Sequence, residues 1–245
     1  MPQRYRLTIE YDGTDFCGWQ RQRCGRSVQG ELETVLQALN GGEPVTLIGS
    51  GRTDAGVHSL GQVAHVDLSI PRQPETIQRA LNAQTGRDIQ VRGCQIVDAD
   101  FHARFSARRR HYLYRICRRI AVLERRTSWQ LPGELDEDCL QECAKLILGE
   151  HDFSRLCSSR TEAASKICQI SDSQWIKEDI FINYKIVGNR FLHSMVRMIV
   201  GTMITIARGK GSPADLQALL DGEDGTVKVY TAPPQGLILQ QVDYE

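Results

Sequence analysis

No two cysteines in this chain have the C-x-x-C spacing of a zinc ligand pair or a redox motif. The eight that it carries are Cys17, Cys24, Cys94, Cys117, Cys139, Cys143, Cys157 and Cys168. Cys139 and Cys143 lie one turn apart on an expected helix, where core packing is the plainer reading. No apolar run is long enough for a membrane helix, and the start, Met1-Pro2-Gln3-Arg4-Tyr5-Arg6, is too polar for a secretory signal. These absences predict a cytosolic, cytoplasmic protein with reduced thiols, no bound metal and no membrane partner. Net charge is missing too: 30 Lys and Arg balance 30 Asp and Glu, which taken alone argues against a nucleic-acid partner. A further absence argues the other way. From Phe101 to Leu123 there is no acidic residue, while Arg104, Arg108, Arg109, Arg110, Arg115, Arg118 and Arg119 fall in that stretch and Arg125 and Arg126 follow it. Acid collects at Glu134 to Glu142 and at Asp221 to Asp224. A local positive field, rather than the net charge, is what attracts a polyanion.

Nucleotide-binding fingerprints are absent on inspection of the one stretch that invites them, Gly49-Ser50-Gly51-Arg52-Thr53-Asp54-Ala55-Gly56-Val57-His58. Gly51 to Gly56 has P-loop glycine spacing, but Val57-His58 stands where Lys-Ser/Thr must follow. Gly49-Ser50-Gly51 opens like a dinucleotide motif, but Asp54 occupies the third glycine position and a strand, not a helix, comes next. What remains is a carboxylate, an arginine and a histidine on a tight loop between two expected strands, Pro44 to Ile48 and Gly61 to Ser69. Glycines at 49, 51 and 56 suit sharp turns or close approach to a ligand. Loops held by a rigid scaffold commonly carry chemistry, although an aspartate there can also simply bond its own turn.

With 245 residues, 41% of them hydrophobic, the chain can fill one large or two small cores. Tyr5, Leu7, Ile9 and Tyr11 alternate with polar residues as a half-buried strand. Ser27 caps an expected helix whose Val28, Leu32, Val35, Leu36 and Leu39 share a face. A short helix from Pro74 and a strand from Ile89 to Val97 complete this part. The second part repeats the rhythm: a strand over His111 to Arg118, a helix over Asp136 to Leu148, a hairpin over Lys166 to Trp175 and Ile180 to Val187. Helices over Asn189 to Arg208 and Pro213 to Leu220 follow, and a strand over Leu237 to Val242 closes the chain. The order predicts an α+β fold of two similar halves, 1–100 with the aspartate loop and 101–245 with the remaining motifs. No linker marks the boundary, near 98 to 106, so the halves are expected to pack with a cleft between them.

Tyr112 and Tyr114 point to one face of their strand. They are either core tyrosines or platforms for a nucleobase beside phosphate-gripping arginines. Arg197 sits in the apolar run Met195-Val196-Arg197-Met198-Ile199, with Phe191, Met195, Met198 and Ile199 as a buried helical stripe. A buried arginine needs an anion, because an unpaired buried charge is very costly. Asp54 is the expected partner. The alternative is an arginine that snorkels to solvent.

Gly51-Arg52-Thr53-Asp54-Ala55-Gly56-Val57-His58, Phe101-His102-Ala103-Arg104-Phe105-Ser106, Tyr112-x-Tyr114, His151-Asp152-Phe153 and Phe191 to Gly201 together resemble the tRNA pseudouridine synthase A family. Matching motifs run from Tyr11-Asp12-Gly13-Thr14 to Gly236-Leu237. The resemblance implies that Asp54 is catalytic, as nucleophile or base, and that Arg197 pairs with it. It implies that Tyr112 stacks on the target base, that Arg52 lies near the flipped-out nucleotide and that Leu237 lines the pocket. Arg108, Arg109 and Arg110 are expected on the tRNA backbone. The implied reaction isomerises uridine to pseudouridine at positions 38, 39 and 40 of the anticodon stem-loop, without a cofactor. The implied assembly is a homodimer, on two ferredoxin-like halves sharing a mixed or antiparallel sheet flanked by helices. The segment from Cys157 to Ser171 is variable in the family, and no RNA contact is carried over to it.

The residues agree with such chemistry. An enzyme acting on a stem base must extrude it and hold it, and a single carboxylate without a metal suits a nucleophile or proton acceptor. His58, His65, His102, His151 and His193 show no metal spacing and are read as structural or RNA-facing. Three rivals remain: a non-catalytic RNA-binding protein, a pseudouridine synthase on another RNA, and a hydrolase pairing Asp54 with Asp67.

Overall fold

In a computed structural model that describes residues 2–23 and 25–245, the chain forms two compact units. One is Met1–Arg108 with Leu239–Glu245 and the other is Arg109–Ile238. In chain order the first contains β1 (Gln3–Tyr11), α1 (Val28–Leu39), β2 (Ile48–Gly49), β3 (His58–Leu68), α2 (Pro74–Gln84) and β4 (Ile89–Ile96). The second contains β5 (Arg109–Cys117), β6 (Trp129–Gln130), α3 (Glu137–Leu146), β7 (Gly149–Asp152), β8 (Ile167–Glu178), β9 (Phe181–Gly188), α4 (Met195–Ala207) and α5 (Pro213–Leu220). The last strand, β10 (Leu237–Asp243), belongs to the first unit from Leu239 onward. The α+β class follows the element order read from the sequence.

In the first unit β1 lies between β3 and β4 and is antiparallel to both. Its strict alternation buries Tyr5, Leu7, Ile9 and Tyr11 on one face, where they share a core with Val28, Leu32, Val35 and Leu36 of α1 and Ile77 and Leu81 of α2. Ser27 caps α1 by accepting from the Gly30 amide, which satisfies one of the helix's orphan donors. Asn40 ends it, and its side-chain oxygen accepts from Ser69 and Ile70. The strand expected over Pro44 to Ile48 is cut to Ile48–Gly49, which pairs with His65 and Ala64. The reason is hydrogen bonding: the Leu47 amide donates to Glu33 and its carbonyl accepts from Gln29, both side chains of α1. Backbone groups satisfied by a helix are not available to a sheet ladder.

The second unit orders its strands β5-β9-β8-β7, all antiparallel, with β6 parallel to β5. Tyr184 of β9 packs on Trp175 of β8 with ring centres 4.8 Å apart. Asp136 caps α3 through the Cys139 amide. The long helix expected from Asn189 begins only at Met195. Ser194 takes a left-handed φ of 59°, which a right-handed helix cannot contain. Asn189 instead bonds to Gln169 through its amide and its side chain, so the stretch before α4 is tied to β8.

Cys17, Cys94, Cys117, Cys139, Cys143, Cys157 and Cys168 are free thiols; the reading for Cys24 lies outside the described residues. Burial pushes the thiols of Cys94 and Cys143 up to about 12, away from the reactive thiolate. Among the described residues no helix is long and apolar enough to cross a membrane.

His65 on β3 is buried, and its Nδ1 accepts from the Ala103 amide at 3.1 Å. Burial, with the charges of Arg4 and His102 beside it, lowers its pKa from 6.5 to about 4. A lowered folded-state value means that the unfolded chain binds the proton more readily. The stabilisation is therefore complete above pH 6.5 and is lost as pH falls toward 4. Urea midpoints measured across this window are expected to drop with acid, and His65→Asn, which keeps an acceptor without a titrating ring, is expected to flatten that part of the slope.

Candidate active site

The aspartate loop leaves β2 at Gly49 and joins β3 at His58, and its backbone is fixed from several sides. The Ser50 amide donates to the Val63 carbonyl at 2.7 Å. The Ser50 hydroxyl donates to Gln62 at 2.7 Å, and the Gln62 amide returns a bond to the Gly51 carbonyl at 3.0 Å. Thr53 is held twice: its hydroxyl meets the Tyr11 hydroxyl at 2.9 Å, and its carbonyl accepts from the Trp19 amide at 3.1 Å. The Asp54 carbonyl closes the turn by accepting from Val57 at 3.1 Å. Gln62, Thr53 and Tyr11 are all buried, so these bonds exchange little with water. Burial also pushes the Tyr11 hydroxyl up to about 12, so it stays a neutral hydroxyl.

The segment after β1 presses directly on this loop. A Cβ at Gly13 would lie 2.0 Å from the Val57 carbonyl oxygen, and one at Gly18 would lie 2.6 Å from that of Thr53. Gly18 also takes φ of 102°, where a side chain is strained. His58, buried at the loop's end, accepts from the Gly13 amide through Nδ1 at 3.1 Å. Of the loop's own glycines, Gly56 has φ of 78° and Gly49 lies against the Trp19 indole. Gly51 faces open space, so close packing does not explain it. The outcome is a half-buried Asp54 between a buried Thr53 and an exposed Ala55, with Arg52 exposed.

In the second unit Tyr112 of β5 is buried to 8% exposure and meets Phe191 edge-on, with ring centres 5.1 Å apart. Tyr114 is a core residue. It is fully buried, its hydroxyl donates to the Pro233 carbonyl at 2.7 Å, and burial raises its pKa, with the charge of Arg197 offsetting part of that. Arg197 is half-buried rather than buried, in the first turn of α4, and Met198 and Phe191 of the expected apolar stripe are half-buried too. The Arg197 Nε donates to the Ala232 carbonyl at 2.8 Å, while the Ala232 amide donates to the Arg197 carbonyl at 3.0 Å. Leu237 is buried at the start of β10.

The arginine-rich stretch divides by environment. Arg108 and Arg109 are exposed, whereas Arg110 is buried and donates to the Asn189 carbonyl at 2.6 Å. Arg115 pairs with Glu124 at 3.3 Å and Arg118 with Glu137 at 3.4 Å. Arg104, Arg119, Arg125 and Arg126 are exposed. Trp19 and Gln62 are supporting residues that the sequence reading does not single out, and it reads Tyr11 only as a strand and motif residue. A weak signal existed for Gln62, a polar residue directly before Val63-Ala64 in β3; none existed for Trp19. Among the described residues no three His, Cys, Asp or Glu side chains are grouped to hold a metal.

Residues 7–106 and 143–245 match the family profile described as tRNA pseudouridine synthase. The chain belongs to the tRNA pseudouridine synthase family. It is 42% identical over 246 residues to the tRNA pseudouridine synthase A of Sinorhizobium medicae (strain WSM419), covering 98% of this chain and 99% of that protein. The tRNA pseudouridine synthase A of Paramagnetospirillum magneticum (strain ATCC 700264 / AMB-1) is 45% identical over 246 residues, covering 98% of this chain and 95% of that protein. That of Geobacillus sp. (strain WCH70) is 39% identical over 247 residues and covers both chains completely, at 100%. A solved Cbf5-Nop10-Gar1 complex aligns over 81% of this chain and 53% of that one at 9% identity, with a TM-score of 0.35, too low to bear on the fold. This synthase is accordingly an isomerase of tRNA pseudouridylation.

The Tyr11–Thr53 contact gives a direct test of how the loop is held. Tyr11→Phe leaves a buried hydroxyl without its partner and is expected to cost about 1–2 kcal/mol of stability. Tyr11→Phe combined with Thr53→Val is expected to cost less than the sum of the single changes, read from denaturant midpoints in a double-mutant cycle.

Proposed function

We propose that this synthase isomerises uridine at positions 38, 39 and 40 of the tRNA anticodon stem-loop, with Asp54 as the carboxylate that opens the reaction. The observation that carries this is the loop itself: a half-buried acid on a backbone fixed through Ser50, Gly51 and Thr53. A rigidly held carboxylate keeps its geometry to the reacting atom without reorganising. The motifs around it, GRTDAGVH above all, support the anticodon-arm substrate.

The net change is an isomerisation and balances without a co-reactant. The N1–C1′ bond breaks, the freed uracil turns, C5 bonds to C1′, and the proton lost from C5 is matched by one gained at N1. Asp54 acts by attack on C1′, by addition to C6 or by removal of the C2′ proton. Tyr112 stacks on the extruded base; its ring is already braced edge-on by Phe191. Arg197 pairs with Asp54, Arg52 lies near the flipped nucleotide, and Leu237 lines the apolar wall that retains detached uracil. Arg108 and Arg109, both exposed, meet the tRNA backbone. Arg110 serves them by holding the chain at Asn189. No cofactor is required by this chemistry. The enzyme works in the cytoplasm as a homodimer, with 1–100 as the half that carries the aspartate loop and 101–245 as the half that carries the stacking tyrosine and the arginine helix.

Asp54→Asn is expected to lower kcat on unmodified tRNA by on the order of 10³ or more, while tRNA binding stays near that of the parent enzyme. Retained turnover in that variant would remove Asp54 from the chemistry. Chemical mapping of pseudouridine should find it at positions 38 to 40; product elsewhere in the tRNA would overturn the substrate assignment and leave the reaction class standing. Tyr112→Ala is expected to cost about 10- to 100-fold in kcat/KM, as loss of a stacked base does, and Tyr112→Phe much less. Equal losses would assign the tyrosine's role to its hydroxyl.

A further inference from the structure

Phe105 is an apolar residue held out in water by a turn built to keep it there. It is 77% exposed. The turn from His102 to Ser106 is closed by the Ser106 amide, which donates to the His102 carbonyl at 2.9 Å. The His102 amide donates to the Ser106 hydroxyl at 3.0 Å, and the His102 Nδ1 accepts from the Arg104 and Phe105 amides, each at 3.2 Å. The turn is fastened below as well: the Ala103 amide donates to the buried His65, and the Ala103 carbonyl accepts from the Tyr244 hydroxyl at 2.7 Å. On this fixed support the His102 ring lies against that of Phe105, with centres 4.4 Å apart and planes 31° apart, and the Arg104 guanidinium lies 5.7 Å from the Phe105 ring centre.

We propose that Phe105 is a stacking platform for a nucleobase of the tRNA substrate other than the target uridine. Three observations select RNA as the occupant. An exposed aromatic with an arginine beside it is the pairing that grips a base and its phosphate together. Arg104 and Arg108 flank the ring within three residues, both exposed, in a stretch from Phe101 to Leu123 without an acid. The nearest acids in sequence, Asp98 and Asp100, line a groove with Phe101 and Ser106 that neither Arg104 nor Phe105 borders. A platform already rigid before binding loses little entropy when a base settles on it. The proposal rests on tRNA being the substrate and not on the role of Asp54.

Its test compares Phe105→Ala, Phe105→Leu and Phe105→Tyr with the parent enzyme, each titrated with unmodified tRNA transcript by fluorescence anisotropy over a range of salt. The exposed position makes folding of all three secure. Phe105→Ala and Phe105→Leu are expected to weaken tRNA binding by about tenfold, with the slope against salt unchanged, whereas Phe105→Tyr stays within about twofold. Arg104→Ala is expected to reduce the salt slope by about one. Binding by Phe105→Ala at the parent level overturns the proposal, as does parent-level binding by Phe105→Leu. Light scattering on the same samples tests the competing occupant: a mass that falls in Phe105→Ala together with binding makes the ring a contact between copies of this chain instead. Parent enzyme that fails to bind tRNA would refute the substrate itself, a separate outcome.

Discussion

Thr53 is the residue through which the aspartate loop is held. Its hydroxyl is engaged by Tyr11 at the end of β1 and its carbonyl by the Trp19 amide. Those two grips come from one segment of chain, which turns at Gly13 and Gly18 because no side chain fits between it and the loop. The strand that organises the first core therefore also sets the backbone next to Asp54. Gln62, buried on β3, does the same for Ser50 and Gly51. A carboxylate on a loop keeps its place only if the backbone beneath it is rigid, and here the rigidity is supplied by buried polar bonds whose loss leaves desolvated groups behind.

Charge in this protein is sorted by position rather than by amount. A formal net charge of zero conceals a stretch without acid, yet not every arginine in that stretch faces solvent. Arg115 and Arg118 are engaged by Glu124 and Glu137, and Arg110 is turned inward to a carbonyl. The two ion pairs are half-buried, and each sets a carboxylate beside its guanidinium, which weakens the field that a phosphate meets there. The exposed set is smaller and more local: Arg104, Arg108, Arg109, Arg119, Arg125 and Arg126. A polyanion responds to that local set.

Periodicity made the strands and helices with one apolar face readable. β1, α1, α2, β5, β8, β9 and α5 lie close to where alternation and helical spacing put them. The failures share a cause. Val45 and Leu47 alternate like a strand and are buried like one, but the Leu47 backbone bonds to α1 side chains. Residues 189–194 look helical until Ser194 takes a left-handed turn. Burial pattern reports which side chains avoid water, and it is silent on which partner the backbone finds. The same limit applies to the site. Asp54 and Arg52 stand out because glycines and a lone acid interrupt a strand pattern, whereas Trp19 carries no local sign that its amide holds the loop.

The amino-acid sequence by itself determined the α+β class, the family, and the position of the acid in a glycine-rich loop. All of these are local or motif properties, set by residue type and spacing. Only the tertiary structure decided that Leu239–Glu245 group with the first unit, that Tyr114 is core, and that Arg110 faces inward while Phe105 faces out. Those outcomes depend on which distant backbone and side-chain groups satisfy one another, and pairing between residues far apart in sequence leaves no trace in the spacing of near neighbours.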